Sequence, residues 1–198
     1  MNEIPRVPKI RPTTRVADGV PRLRWTLAEF ERLAELGFFT EEDRIGLIGG
    51  ELVPMAPKGN RHELVCGAFH TWLRGNLPAE FDYHPEPGWH ADEANYFEPD
   101  FLFGPAGFDR TSISPADVLL LVEVAHSSLA FDTTTKAAQY ATLGVREYWV
   151  VNAVTLATRI HREPSAAGYS QVDILAADER LQALLIQSLA LKLADLRL

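Results

Sequence analysis

Three side chains in this sequence have the types and order needed for phosphodiester chemistry: Asp100, Glu123 and Lys136. Asp100 follows Pro99 in a short apolar segment with Phe97, Phe101, Leu102 and Phe103, and Glu123 interrupts the apolar run VLLLVEV. An unpaired carboxylate in such a run is costly to bury, so Glu123 stands at the open end of a strand or meets a cation. Two acids in neighbouring strands repel unless a metal ion or a lysine lies between them. Oxygen-only ligands suit a hard cation such as Mg²⁺ or Mn²⁺ rather than zinc. With Lys136 to orient water or to stabilise charge developing at phosphorus, the trio reads as a metal-dependent hydrolytic site. The same residues also suit a buried ion-pair cluster with no catalysis, and residue types alone leave both readings open.

The elements that must position the trio are legible in outline. VLLLVEV (118–124) is apolar on both faces, as a central strand requires. The next helix is predicted over 132–143, starting at Asp132 or Thr133 and stopping at Gly144, with Lys136 in its first turn. Tyr140 and Leu143, four and seven residues on, then share the face that packs on the strands. REYWVVN (146–152) reads as a further buried strand. ATRIHREP and YSQVDIL form a hairpin around Ala166-Ala167-Gly168. The apolar tail suits a short helix near 189–196.

Upstream, Thr26-Leu27-Ala28-Glu29 is a capping box that opens a helix over about 27–36, with Gly37 as its stop. Residues 44–55 read as a hairpin with a Gly49-Gly50 turn that pairs Ile48 with Glu51 and Gly46 with Val53. A second helix follows a cap-like signal at Asn60, with Leu64, Val65, Ala68, Phe69, Trp72 and Leu73 as its apolar face. His62, in its first turn, is expected at the surface or as a polar contact at the mouth of the site. Residues 80–103 suit two strands, the first an edge strand or bulge broken by Pro85 and Pro87. The order β-β-α-β-β-β-α-β-β-β is α/β, a mixed sheet with flanking helices. No glycine-rich loop follows a strand, which excludes a nucleotide-binding Rossmann or P-loop reading.

Composition narrows the classes. A chain of 198 residues with 46% hydrophobic and 23% charged content is ordinary for one globular domain. Cys66 is the only cysteine, which excludes an internal disulfide and a multi-cysteine zinc site. No apolar run approaches the roughly 18 residues of a membrane span, and no signal-like stretch is present, so the expectation is a cytoplasmic protein. Net charge is −8, unevenly spread. Residues 1–24 hold six basic and two acidic residues and four prolines, and are read as an extended or disordered basic arm. The domain proper is expected over 25–198. That leaves 13 basic against 25 acidic residues in the body. Nucleic-acid binding draws on phosphate neutralisation, so this body has no basic footprint of its own, although a metal-filled site locally reverses the sign.

Pro99-Asp100, VEV around Glu123, and Lys136, Tyr140 and GVREYWVV (144–151), together with LIGGELVPMAP (47–57) and His62, resemble the Uma-two family of predicted endonucleases. That family belongs to the PD-(D/E)XK restriction-endonuclease-like fold, and the resemblance spans about Trp25 to Leu196. It implies a restriction-endonuclease-like mixed β-sheet core flanked by helices, with an added N-terminal hairpin and C-terminal strands. It implies Asp100 and Glu123 as ligands to Mg²⁺ or Mn²⁺, with the Val124 carbonyl as a further one, and Lys136 as the catalytic lysine supplied from the following helix. Ala125 stands where the usual lysine would be. The family's glutamate in the first hairpin corresponds here to Gly46; Glu51, Glu98, His62 and Tyr140 are the auxiliary candidates. The implied substrate is DNA and the implied assembly a homodimer. A non-catalytic binding or assembly module of the same fold is the alternative that Gly46 and the acidic body keep open.

Overall fold

The computed structural model describes residues 13–15, 21–40 and 43–198. The arm expected over 1–24 falls mostly outside these; within it, β1 (Thr13–Arg15) pairs antiparallel with β2 (Pro21–Leu23). The chain divides into two compact units, one of residues 1–55 with 92–96 and one of residues 56–91 with 97–198.

In the smaller unit, α1 (Leu27–Glu35) opens with the expected capping box. The Thr26 hydroxyl accepts the Glu29 N–H at 3.2 Å, and the Glu29 carboxylate accepts the Thr26 N–H at 3.0 Å. Strands β3 (Ile45–Ile48) and β4 (Glu51–Pro54) form the expected hairpin in the expected register, Ile48 against Glu51 and Gly46 against Val53. Gly49 and Gly50 take φ of +59° and +82°, the left-handed pair that a two-residue turn needs.

The larger unit is built on a six-stranded mixed sheet. Its elements in chain order are α2 (Asn60–Asn76), β5 (Phe81–Pro85), β6 (Trp89–Asp92), β7 (Asn95–Phe97), β8 (Phe101–Pro105) and β9 (Leu120–Ala125). Residues 92–96, at the end of β6 and the start of β7, are counted with the smaller unit. After β9 come α3 (Leu129–Phe131), a π-helical segment (Asp132–Lys136), α4 (Ala137–Thr142), β10 (Glu147–Asn152), β11 (Thr158–Ser165) and β12 (Gly168–Leu175). Two-residue strands β13 (Leu181–Gln182) and β14 (Ala190–Leu191) and a 3₁₀ turn (Leu193–Asp195) finish the chain. The strand order is β12-β11-β10-β9-β8-β5, with β9 and β10 parallel and every other neighbour antiparallel.

Side chains alternate across β9. Leu120, Val122 and Val124 face a core shared with Val65, Phe69 and Leu73 of α2, Phe101, Phe103, Trp149 and the C-terminal Leu181, Ile186 and Leu189. Burying an aliphatic or aromatic side chain of this kind contributes about 1.5–3 kcal/mol each, so this layer holds the sheet and fixes which face the intervening residues take. Glu123 therefore points to the opposite face, where the fully buried Tyr140 packs against Trp89, Phe97 and Tyr148.

Four expectations are corrected. Residues 81–105 hold four strands rather than two, because the turns at 86–88, 93–94 and 98–100 break what reads as continuous extended sequence. The helical run begins at Leu129, so Lys136 lies beyond its first turn. The buried face of α2 is His62, Val65, Phe69 and Leu73, with Leu64 52% exposed, and the helix starts after Gly59 with no side-chain cap. The tail forms two short strands and a 3₁₀ turn instead of a helix over 189–196. β5, with Pro85 at its end, is an edge strand as expected.

Candidate active site

Asp100 sits immediately before β8 and Glu123 lies within β9. The β8–β9 register, which pairs Phe101 with Val122, continues to place Asp100 opposite Glu123. Cross-strand neighbours share a face, so the two carboxylates approach one another; each is 4% exposed.

Each acid has its own partners. Asp100 Oδ2 accepts the Val124 N–H at 2.7 Å, and Oδ1 lies 2.9 Å from His62 Nε2 and 3.6 Å from Lys58 Nζ. Lys58 also pairs with Glu86 at 2.6 Å. Glu86 sits between two prolines at φ +48° and donates its N–H to the Asp100 carbonyl at 3.1 Å. Glu123 Oε1 accepts from Lys136 Nζ at 2.8 Å and from the Tyr140 hydroxyl at 3.2 Å. A third carboxylate, Asp132, is 2% exposed and lies 3.5 Å from the same Lys136 Nζ. Its Oδ2 accepts from the Ser128 hydroxyl at 2.5 Å, while its Oδ1 is buried without a hydrogen-bond partner.

The helical run 129–142 explains how Lys136 arrives. Threonines 133, 134 and 142 bond back to carbonyls of the preceding turn. In the π segment the ladder widens to i→i+5, a distortion that recurs at functional sites. Asp132, Lys136 and Tyr140, at intervals of four, all turn toward Glu123, and all are buried.

The electrostatics follow from this crowding. Burial raises the Asp100 carboxyl pKa, but the hydrogen bond and charge of His62, the Val124 N–H and Lys58 more than reverse this, and it falls below its ordinary value. Burial pushes Glu123 up to about 8; Lys136 offsets only part of the rise, and Asp100 and Asp132 add to it. Asp132 is raised by burial as well. Burial depresses the Lys136 ammonium, but the surrounding carboxylates, Glu123 first, outweigh it and hold it protonated. Buried acids that share one ammonium, with a carboxylate oxygen that accepts no hydrogen bond, form a donor set that fits a divalent cation.

The structure thus brings Asp100, Glu123, Lys136, Tyr140 and the Val124 backbone into one network. It corrects the surface expectation for His62, which is 6% exposed and bonded directly to Asp100. Glu98 is half-buried two residues before Asp100, and Glu51 opens β4 in the smaller unit. Asp132 and Lys58 were missed in the sequence. The four-residue spacing of Asp132, Lys136 and Tyr140 is the signal that finds the first. For Lys58, in a loop, no periodic signal exists.

A family model described as "Uma2: Putative restriction endonuclease" matches residues 27–194. The chain belongs to the Uma2 family. A solved structure similar to this Uma2 chain is the "Crystal structure of a putative nuclease belonging to DUF820 from Anabaena variabilis ATCC 29413". The two share 12% identity at a TM-score of 0.64, over 86% of this chain and 96% of that one; at that identity the likeness shows the fold. No curated protein matches the sequence. The family's description supports a nuclease role for this Uma2 member. Among the described residues no helix is long and apolar enough to cross a membrane.

Proposed function

We propose that this chain is an endonuclease that hydrolyses DNA phosphodiester bonds with the help of Mg²⁺ or Mn²⁺. The observation that carries the reading is the facing pair Asp100–Glu123 with Lys136 locked against it, its one ammonium shared with Asp132. Asp100, Glu123 and the Val124 carbonyl would hold the cation. A divalent ion supplies charge compensation for the phosphate and a more acidic water.

The protein's own side chains do the rest. His62 and the Val124 N–H fix both Asp100 oxygens, so that carboxylate is oriented before substrate arrives. Tyr140 fixes Glu123 in the same way. Lys136, held protonated by its acids, orients the attacking water or donates to the phosphoryl oxygen on which charge develops. Such preorganisation matters because donors already in place need no rearrangement in the transition state. We place the protein in the cytoplasm and, by analogy with nucleases that pair two sites to cut two strands, as a homodimer.

Purified protein should nick supercoiled plasmid with Mg²⁺ or Mn²⁺ and stop with EDTA. Asp100→Ala and Lys136→Ala should each abolish nicking. Nicking that survives both substitutions assigns the activity to a contaminant. Gly46 favours a second reading, a member that binds without cutting. A Cβ at that position would lie 3.3 Å from the Tyr96 carbonyl oxygen, a tight contact at the place where the resemblance puts an acid. Calorimetry that finds no Mn²⁺ binding at millimolar metal would support this second reading.

A further inference from the structure

Helix α2 brings two donors of a different character to Asp100. His62 and Cys66 stand one turn apart and face the same way, the i,i+4 relationship by which a helix offers two ligands to one ion. Cys66 Sγ is 3.7 Å from His62 Nε2 and 3.8 Å from Nδ1, and His62 Nε2 is 2.9 Å from Asp100 Oδ1. One donor atom from each of the three residues lies within 4.8 Å of the other two.

These separations can be set against those of a real site. Zinc bonds of about 2.3 Å to sulfur and about 2.0–2.1 Å to nitrogen or oxygen, at tetrahedral angles, put S···N at about 3.6 Å and N···O at about 3.3 Å. The first is met in length only: Cys66 Sγ is almost equidistant from the two ring nitrogens, so it lies beside the ring rather than along the Nε2 lone pair, and its side chain must rotate to reach the ion. The second requires the His62–Asp100 contact to open by a few tenths of an ångström. We infer that His62, Cys66 and Asp100 form a three-donor site for a thiophilic divalent cation of the zinc or cobalt class, with a fourth position left to solvent.

Donor chemistry makes the choice of ion. Imidazole and thiolate favour zinc and cobalt, while Mg²⁺ takes oxygen ligands and parts reluctantly with water. Position is held by the helix: Val65, Phe69 and Leu73 anchor α2 in the core, so both donors sit on a rigid element. Protons balance as follows. The S–H bond of Cys66 breaks as the metal–sulfur bond forms, and its proton leaves to solvent. The imidazole presents a bare Nε2, its proton moving to Nδ1 or to solvent. Burial keeps the free Cys66 as a thiol, so metal uptake is coupled to proton release.

The site shares Asp100 with the nuclease reading but does not rest on it. A thiophilic ion and a hard cation would compete for that one carboxylate, which makes zinc an antagonist of Mg²⁺ here.

The test uses the full chain, without DNA, titrated with Co²⁺ and followed by absorption. The expected result is a thiolate-to-cobalt charge-transfer band in the near ultraviolet with intense tetrahedral bands in the visible, all displaced by Zn²⁺. Cys66→Ser should remove the charge-transfer band, and His62→Ala should weaken cobalt binding tenfold or more. Cys66→Ala, which adds no polar group, guards against a misfolded serine variant, and thermal melts check both. A six-coordinate cobalt spectrum that Cys66→Ser and Cys66→Ala leave unchanged would overturn the site. The two readings fail separately: loss of Mg²⁺-dependent nicking leaves the band in place, and absence of the band leaves nicking untouched.

Discussion

Glu123 and Asp132 divide one ammonium between them. Lys136 Nζ stands 2.8 Å from the first and 3.5 Å from the second, with all three side chains nine-tenths or more buried. A buried cation shared by two acids couples them, because removing it takes the same positive charge from both at once.

Lys136→Met tests that coupling. It keeps the length of the side chain and deletes the charge, and breaking a buried pair in this way costs about 3–5 kcal/mol. Urea denaturation should show a loss of that order. Adding Glu123→Gln in the same chain should recover a large part of it. Strictly additive effects would mean that the two residues are not coupled.

The second prediction concerns Glu147, which is fully buried on β10. Its Oε1 accepts Arg162 at 2.9 and 2.6 Å and the Trp149 indole N–H at 3.0 Å, and its Oε2 accepts the Leu184 N–H at 2.6 Å. One carboxylate therefore ties the central sheet to the C-terminal segment. Glu147→Ala should cost about 3–5 kcal/mol by leaving Arg162 unpaired. Hydrogen exchange should quicken first across 181–191; unchanged protection there would refute the tie.

His161 sets a third expectation, in pH. It is 3% exposed between the rings of Tyr148 and Tyr169. Burial, with a contribution from Arg159, lowers its pKa to about 4 from an ordinary 6.5, against the opposing pull of the Tyr148 carbonyl. The unfolded chain then takes up a proton that the folded chain refuses. The contribution is fully present above pH 6.5 and is lost as pH falls through 4, by an amount on the order of 3 kcal/mol. His161→Phe should flatten that limb in denaturation measured from pH 7 to pH 4, and an unaltered acid limb would count against it.

Gly104 in β8 marks a close approach rather than a turn. A Cβ there would meet the Phe108 ring at 2.6 and 2.7 Å and Ile113 Cδ1 at 2.9 Å. Gly104→Ala should cost about 1–3 kcal/mol in thermal or chemical melts, as overpacking does. A neutral or stabilising effect would show that the Phe108 loop gives way freely.

The sheet core and much of the site were legible because their signals are local. Apolar continuity marks β9, the capping box marks α1, and the glycine pair sets the β3–β4 register. Where tertiary partners decide, reading failed. His62 was sent to solvent by its type, yet its spacing to Val65, Phe69 and Leu73 follows the buried stripe, and only Asp100 makes an inward histidine affordable. Leu64 was sent inward by the same reasoning in reverse. Asp132 was taken for a helix start because acids favour that position, whereas it is a buried partner of Lys136 inside the helical run. The turns within 81–105 follow from pairing across the sheet, which no single stretch reveals.

The π segment at 132–136 loosens the dependence of the arrangement on a count of residues. An α-helix advances about 100° per residue, so the wide turn absorbs a residue that a regular helix would convert into rotation. Removing Thr134 should let the α ladder close through the gap. Helix content by circular dichroism would hold, and Lys136 would still face Glu123, so stability would fall far less than in Lys136→Met. A deletion in the regular helix that follows would instead turn the residues beyond it by about 100°. The wide turn thus acts as a phase buffer for the lysine, and a homologue with one residue fewer in it could lose the π segment and still assemble the site.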